Sequence, residues 1–244
     1  MKTFIIIPSR LSAKRLPGKP LIKINGLSII SHVVKKAEKA NIGEVIVAAE
    51  DQEIVDDVEK NGGKAVLTSA NNSTGTDRVY EAATKLNRPD VRLVMNLQGD
   101  EPLMDVDDII NLHKQMIKFD SKIGTLGAKI QDKSLFTKPN IVKVITKESL
   151  DNVEFSKALN FERNTNVVNH NIYHHLGIYC FQIEVLKEFI SHKQSSNEIK
   201  YKLEQLRALD NKIDINVALA KSSPIGVDTE EDLVAIKKIM EYKS

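Results

Sequence analysis

Apolar runs and helical stripes alternate through the first hundred residues. Phe4-Ile5-Ile6-Ile7 makes residues 3–7 a continuous apolar stretch, as expected of a parallel strand buried on both faces. Ile29, Ile30, Val33, Val34 and Ala37 then recur at helical spacing. Residues 44–49 predict the next strand, and 52–60 a helix stopped by Gly62-Gly63. A short strand follows at 64–67. Beyond the polar loop 69–76, Val79, Ala82, Ala83 and Leu86 form another helical stripe. Residues 91–97 predict a further buried strand, ending in the polar cluster Gln98-Gly99-Asp100-Glu101. Repeated βα units with short polar connections imply a Rossmann-like α/β fold, a mostly parallel sheet with helices on both faces.

The second half is less regular. Residues 123–130, 141–146 and 173–181 predict strands, and helices are expected at 183–191, 198–209 and 229–242. Two strand signals in succession without a helix between them imply antiparallel additions to the sheet. Absence of any repeat, low-complexity tract or long linker favours one domain over 1–244, with an inserted sub-region around 123–210.

Composition adds limits rather than identity. Apolar residues make up 41% and charged residues 28% of the 244, ordinary for a globular protein. A net charge of +2 gives no reason to expect nucleic acid or membrane binding. The apolar run at 4–7 is closed by Pro8, too short for a signal segment or a membrane span. One cysteine, Cys180, excludes an internal disulfide and fits a reducing compartment, so a cytoplasmic protein is expected.

Four segments carry candidate chemistry. The first strand is followed by a basic loop containing Arg10, Lys14, Arg15 and Lys19. In open α/β sheets ligands sit outside the carboxyl ends of strands, where such a loop would meet a triphosphate. It lacks the GxxxxGK[ST] spacing of a P-loop, and a solvated basic loop is the competing reading. Asp100 ends a buried strand, where a carboxylate suits Mg²⁺; Gly99 and Pro102 also suit a plain turn. Asp228 precedes the last helix and either caps it or, if Thr229 caps with Asp232 as partner, is left to face a metal. Residues 74–78, Thr-Gly-Thr-Asp-Arg, open a helix whose N-terminus would favour an anion, although Thr76 also suits an ordinary cap. His170, His174 and His175 include a zinc-like spacing, but they lie in a strand-like segment where that spacing has no such meaning. Cys180 reads as a packed core residue.

Seven stretches, in order and spanning nearly the whole chain, resemble the 3-deoxy-manno-octulosonate (Kdo) cytidylyltransferases, or CMP-Kdo synthetases. They are IIIPSRLSAKRLPGKPL (5–21), GGKAVLTSANNSTGTDRVYE (62–81), NLQGDEP (96–102), PNIVKV (139–144), HLGIY (175–179), LEQLRAL (203–209) and VDTEEDL (227–233). The resemblance implies a glycosyltransferase-A-like fold, a homodimer, and conversion of CTP and Kdo into CMP-Kdo and pyrophosphate for lipopolysaccharide assembly. It implies that Arg10, Arg15 and Lys19 bind the CTP phosphates, that Gly75 and Arg78 belong to the nucleotide site, and that Asp100 and Asp228 hold Mg²⁺. Lys19, Asp100 and Asp228 would thus be the catalytic set. Gln98, His175, Glu204 and Gln205 match positions around the sugar.

Three departures bear on the sugar. Where the family commonly reads FSR, this chain has Phe155-Ser156-Lys157, and lysine lacks arginine's planar fork for a carboxylate. Lys157 is still expected beside the sugar acid. A common VATD stretch is here Val47-Ala48-Ala49-Glu50, and Tyr201 stands where an acidic residue is frequent. The alternatives are therefore the same reaction on another acidic sugar, such as an 8-amino-Kdo or a sialic-acid-like substrate, and a nucleotide-binding homologue without turnover.

Overall fold

The first strand, β1 (Lys2–Ser9), is apolar along its length and buried on both faces from Phe4 to Ile7. In this computed structural model, which describes residues 2–12, 15–165 and 171–241, the chain then runs through the short hairpin β2 (Lys23–Ile24) and β3 (Leu27–Ser28), α1 (Ile29–Lys39), β4 (Glu44–Ala49), α2 (Gln52–Lys60), β5 (Ala65–Leu67), α3 (Gly75–Leu86), β6 (Val91–Asn96) and α4 (Val106–Phe119). It continues through β7 (Ile123–Ala128), β8 (Lys143–Thr146), β9 (Ser156–Glu162), β10 (Ile172–Gln182), α5 (Ile183–Ser191), α6 (Ser196–Tyr201), α7 (Leu206–Asp210), β11 (Ile215–Leu219) and α8 (Glu230–Glu241). Two compact units result: Met1–Ile109 with Pro224–Ser244, and Ile110–Ser223.

In the first unit the strands lie in the order β5-β4-β1-β6, every pairing parallel. Parallel strands need crossovers, and α1, α2 and α3 supply them. Each helix buries one stripe. In α1 that stripe is Ile29, Ile30, Val33, Val34 and Ala37, the set expected from the sequence. Ser28 caps α1 by accepting from the Ser31 amide at 3.2 Å.

The second unit is mixed. β10 pairs antiparallel with β7, β7 parallel with β11, β11 antiparallel with β9, and β9 antiparallel with β8. Because β8 also pairs with β10, the five strands close on one another. Closure leaves fewer backbone edges open to foreign strands.

Several sequence expectations shift here. Strands β9 and β11 and helix α4 are additional to the expected elements; β9 mixes buried and exposed positions without an apolar run. The helix expected over 198–209 is broken in two: Lys202 adopts a left-handed backbone, φ 54°, and separates α6 from α7. A left-handed lysine carries no sequence signal of the kind glycine gives.

Lys143, fully buried, holds the second unit's loops. Its Nζ donates to the carbonyls of Lys138 (2.8 Å), Ile141 (2.7 Å) and Arg163 (2.7 Å), using all three ammonium protons. Burial pushes its pKa down, partly offset by the Glu162 charge. Replacing it with Lys143→Met removes a costly charge but strands three carbonyls, so a net loss of about 2 kcal/mol is expected. Urea unfolding reads this directly; an unchanged midpoint would mean those carbonyls find other partners.

Candidate functional site

The basic loop after β1 is not a loose tether. The Gly18 amide donates to the Leu11 carbonyl at 3.1 Å, with Gly18 left-handed at φ 69°, a conformation glycine adopts without strain. Leu16 is buried in a cluster with Ile24, Ile29, Val227 and Ile236. Apolar anchoring at Leu16 leaves Arg15 and Lys19 to act as the loop's polar face.

Lys19 is the hub. Its Nζ lies 2.6 Å from Asp100 Oδ2, 2.6 Å from the Val227 carbonyl and 3.5 Å from Asp228 Oδ1. Arg15 Nη2 reaches the other Asp228 oxygen at 3.2 Å. Two carboxylates remote in sequence therefore converge on one ammonium.

Each carboxylate is positioned by its own local device. Beyond β6, the Leu97 amide donates to the Ile6 carbonyl at 3.1 Å, extending the ladder. Gly99 then passes so close to β1 that a Cβ would lie 3.0 Å from the Pro8 carbonyl oxygen and 3.1 Å from Ile30 Cδ1. Those contacts are tighter than ordinary, so glycine suits this close approach to β1. The Val227 amide donates to the Asp100 carbonyl at 2.8 Å, stitching the two acidic turns together. At α8, Asp232 Oδ2 accepts from the Thr229 and Asp228 amides at 2.9 and 3.1 Å, and Thr229 Oγ1 accepts from the Asp232 amide at 3.2 Å. Thr229 is thus the cap, and the Asp228 carboxylate is spared that duty.

Helix α3 begins two residues earlier than Thr76 as a cap would imply. Thr74 caps it in a reciprocal box with Asp77, and Thr76 is buried inside the helix. A Cβ at Gly75 would meet only Pro8, at ordinary contact distances of 3.6 and 3.9 Å, so protein packing does not demand glycine there. Arg78 is almost wholly buried; it pairs with Glu50 and donates through Nη1 to Thr68 Oγ1 at 2.6 Å. Glu50, the departure noted in the sequence, is the carboxylate that keeps this guanidinium compensated.

Arg10, Arg15, Lys19, Gly75, Arg78, Gln98, Asp100 and Asp228 all line one cavity of about 750 Å³ within the first unit. Lys14 lies outside the described residues. Glu101, beside this cavity's acids, has a buried Oε2 without a hydrogen-bond partner among the described residues. Burial first, then the Asp100 and Asp228 charges, push its pKa up to about 8, against the pull of Lys19. At neutral pH it is held mostly protonated and adds little repulsion.

The residues fit a hard divalent cation. Two carboxylates already hold a positive charge between them, and oxygen donors of this kind suit Mg²⁺. Among the described residues no group of three or more His, Cys, Asp or Glu side chains is arranged to hold a metal. Mg²⁺ ordinarily takes one or two protein carboxylates and completes its shell with phosphate and water.

The remaining expected residues lie in the second unit. Lys157, on β9, is exposed and pairs with Asp214 Oδ1 at 2.6 Å. Glu204 and Gln205 sit in the turn between α6 and α7, Gln205 buried. His175, on β10, is 8% exposed and packs its ring on Phe161 and Tyr179. Thr125 Oγ1 donates to the Ile178 carbonyl at 2.7 Å, so the His175 Nε2 atom 3.0 Å away is the protonated one. His174 and His175 are neighbours on a strand, and His170 falls outside the described residues. Cys180 is buried, and burial pushes its thiol pKa up, far from nucleophilic.

Comparisons with known proteins find similar sequences and a similar solved structure. A family model described as cytidylyltransferase matches residues 4–215. A 3-deoxy-manno-octulosonate cytidylyltransferase of Rhodopseudomonas palustris (strain BisB18) is 41% identical, the match covering 99% of this chain and 98% of that protein. One from Bartonella tribocorum is 37% identical, covering 98% and 99% respectively. Among solved structures, a CMP:2-keto-3-deoxy-manno-octonic acid synthetase complexed with CTP is similar at a TM-score of 0.90 and 32% identity, covering 100% of both chains.

His175 gives this region a pH signature. Burial, with His174 as the lesser cause, depresses its folded pKa to about 3 from 6.5. Between those values the unfolded chain binds a proton that the folded chain refuses, so stability is full above pH 6.5 and falls as pH drops. From pH 7.5 to 5 the wild type should lose about 2 kcal/mol more than His175→Asn in urea titrations. Equal losses would mean that the folded imidazole protonates freely.

Proposed function

The chain belongs to the 3-deoxy-manno-octulosonate cytidylyltransferase family, and from that premise we propose that its first-unit cavity carries out the transfer of CMP from CTP to Kdo, with release of pyrophosphate. The observation that carries this reading is the meeting of Asp100 and Asp228 at Lys19, with Arg15 beside them. A triphosphate brings several negative charges, and a cavity with Arg10, Arg15 and Lys19 on its wall compensates them.

The sugar's anomeric hydroxyl attacks the α-phosphorus in line, forming the new P–O bond as the bond to pyrophosphate breaks. Lys19 and Arg15 stabilise charge on the departing pyrophosphate. Gly75 leaves room for the nucleotide to approach the start of α3, where the helix N-terminus favours an anion. Arg78, fixed by Glu50, supports that wall. Asp100 and Asp228 would hold Mg²⁺, and the chemistry it supplies when bound is neutralisation and orientation of the phosphates. No covalent enzyme intermediate is required.

On the sugar side, Gln98, Lys157, Glu204 and Gln205 are the proposed contacts. Lys157 would trade its exposed partner Asp214 for the sugar carboxylate, an inexpensive exchange for a solvated pair. His175 is too enclosed to reach far, and we assign it to shaping the wall through Thr125 and Tyr179. A homodimer and a cytoplasmic location belong to the same proposal; no helix among the described residues is long and apolar enough to cross a membrane.

The test is pyrophosphate release with Asp100→Asn. Given CTP, Kdo and Mg²⁺, kcat should fall at least about 100-fold while the variant remains folded. Near-normal turnover would remove Asp100 from the reaction. The same assay with CTP against UTP, crossed with several acidic sugars, should favour CTP with Kdo; a clear preference for another acid would overturn the sugar assignment.

A further inference from the structure

We propose that Arg163 is a positioning residue for the sugar side of the reaction, acting through the turn that presents Glu204 and Gln205. This deepens the reading above and rests on its assignment of those two residues to the sugar.

Arg163 follows directly after β9, and its guanidinium spends three donors on backbone carbonyls. Nε donates to Tyr201 at 2.9 Å, Nη2 to Lys202 at 2.8 Å and Nη1 to Pro139 at 3.1 Å. Tyr201 ends α6 and Lys202 is its left-handed cap, so these are carbonyls that the helix itself leaves unsatisfied. Two successive carbonyls present the spacing that a planar fork matches and a point charge does not. A left-handed non-glycine residue costs about 1–2 kcal/mol, so the turn at Lys202 needs outside support to persist.

Both ends of this arrangement are anchored. The Arg163 carbonyl accepts from the buried Lys143, which also binds the loop at Lys138 and Ile141. On the far side of the turn, Arg207 Nε and Nη2 donate to the two Glu198 oxygens at 2.8 and 2.6 Å, a buried pair that joins α6 to α7. Glu204 and Gln205 lie between these fixed points. A Lys143–Arg163 relay on one side and the Glu198–Arg207 pair on the other thus set where the turn stands.

The role differs from plain stabilisation in what it moves. Arg163 is partly solvated, so water replaces its hydrogen bonds when it is removed, and global stability changes little. A small displacement of substrate-positioning groups, in contrast, costs binding and rate steeply.

Steady-state kinetics on the full chain test this with Arg163→Gln, Arg163→Lys and Glu204→Gln. Arg163→Gln should raise KM for Kdo about tenfold, leaving KM for CTP within about twofold and Tm within about 2 °C. Arg163→Lys should recover part of the loss, because one ammonium reaches one carbonyl but not the pair. An unchanged Kdo KM in Arg163→Gln, equal rises in both KM values, or a fall in Tm that accounts for the lost activity would overturn the positioning role. If Glu204→Gln raises the Kdo KM and Arg163→Gln does not, that role alone fails. If Glu204→Gln leaves the Kdo KM unchanged, the sugar assignment of the turn fails and this proposal with it.

Discussion

Two carboxylates, one from the end of β6 and one from the turn before α8, cannot share a small space without a cation between them. Lys19 is that cation. Its side chain is 13% exposed, and its ammonium touches both acids and the Val227 carbonyl, fixing the basic loop, the QGDEP turn and the start of α8 relative to one another. Partial burial strengthens each of these contacts over its value in water, because the effective dielectric falls away from solvent. Remove the lysine and like charges would face each other without the ammonium between them.

The surroundings limit the charge that this arrangement must balance. Glu101, a third acid close by, is held mostly neutral near pH 7 by desolvation and by the Asp100 and Asp228 charges. Thr229 and Asp232 satisfy the α8 terminus, which frees the Asp228 carboxylate to face the cavity. Glu50 supplies the counter-charge for the buried Arg78 guanidinium. The wall of the cavity is therefore built from compensated ions, with Arg10 and Arg15 adding exposed positive charge for an incoming polyanion.

Much of this was legible in the sequence, and the reason is physical. Parallel strands buried on both faces appear as apolar runs, so residues 44–49 and the helix at 52–60 match the observed elements end to end. The motif segments carry turn residues whose backbone demands are strict, as at Gly18 and Gly99. Where geometry depends on tertiary partners, the sequence is silent. The break at Lys202 comes from a lysine in a glycine-like conformation, supported by Arg163 from another element. Capping of α3 by Thr74 rather than Thr76 turns on a reciprocal bond with Asp77, and two threonines two apart look alike in a string. Burial of His175 and the Lys157–Asp214 pair likewise follow from strand pairing that alternation alone did not announce. Glu50, a departure on paper, does the work of a carboxylate partner.

The central claim is that Asp100 and Asp228 together grip a divalent ion against the nucleotide. Electron paramagnetic resonance of Mn²⁺, titrated in the presence of CTP but without sugar, reads that grip apart from turnover. The account predicts that Asp228→Asn loses at least about tenfold in bound Mn²⁺ affinity relative to wild type, and that Asp100→Asn does the same. Wild-type Mn²⁺ binding in both folded variants would contradict it.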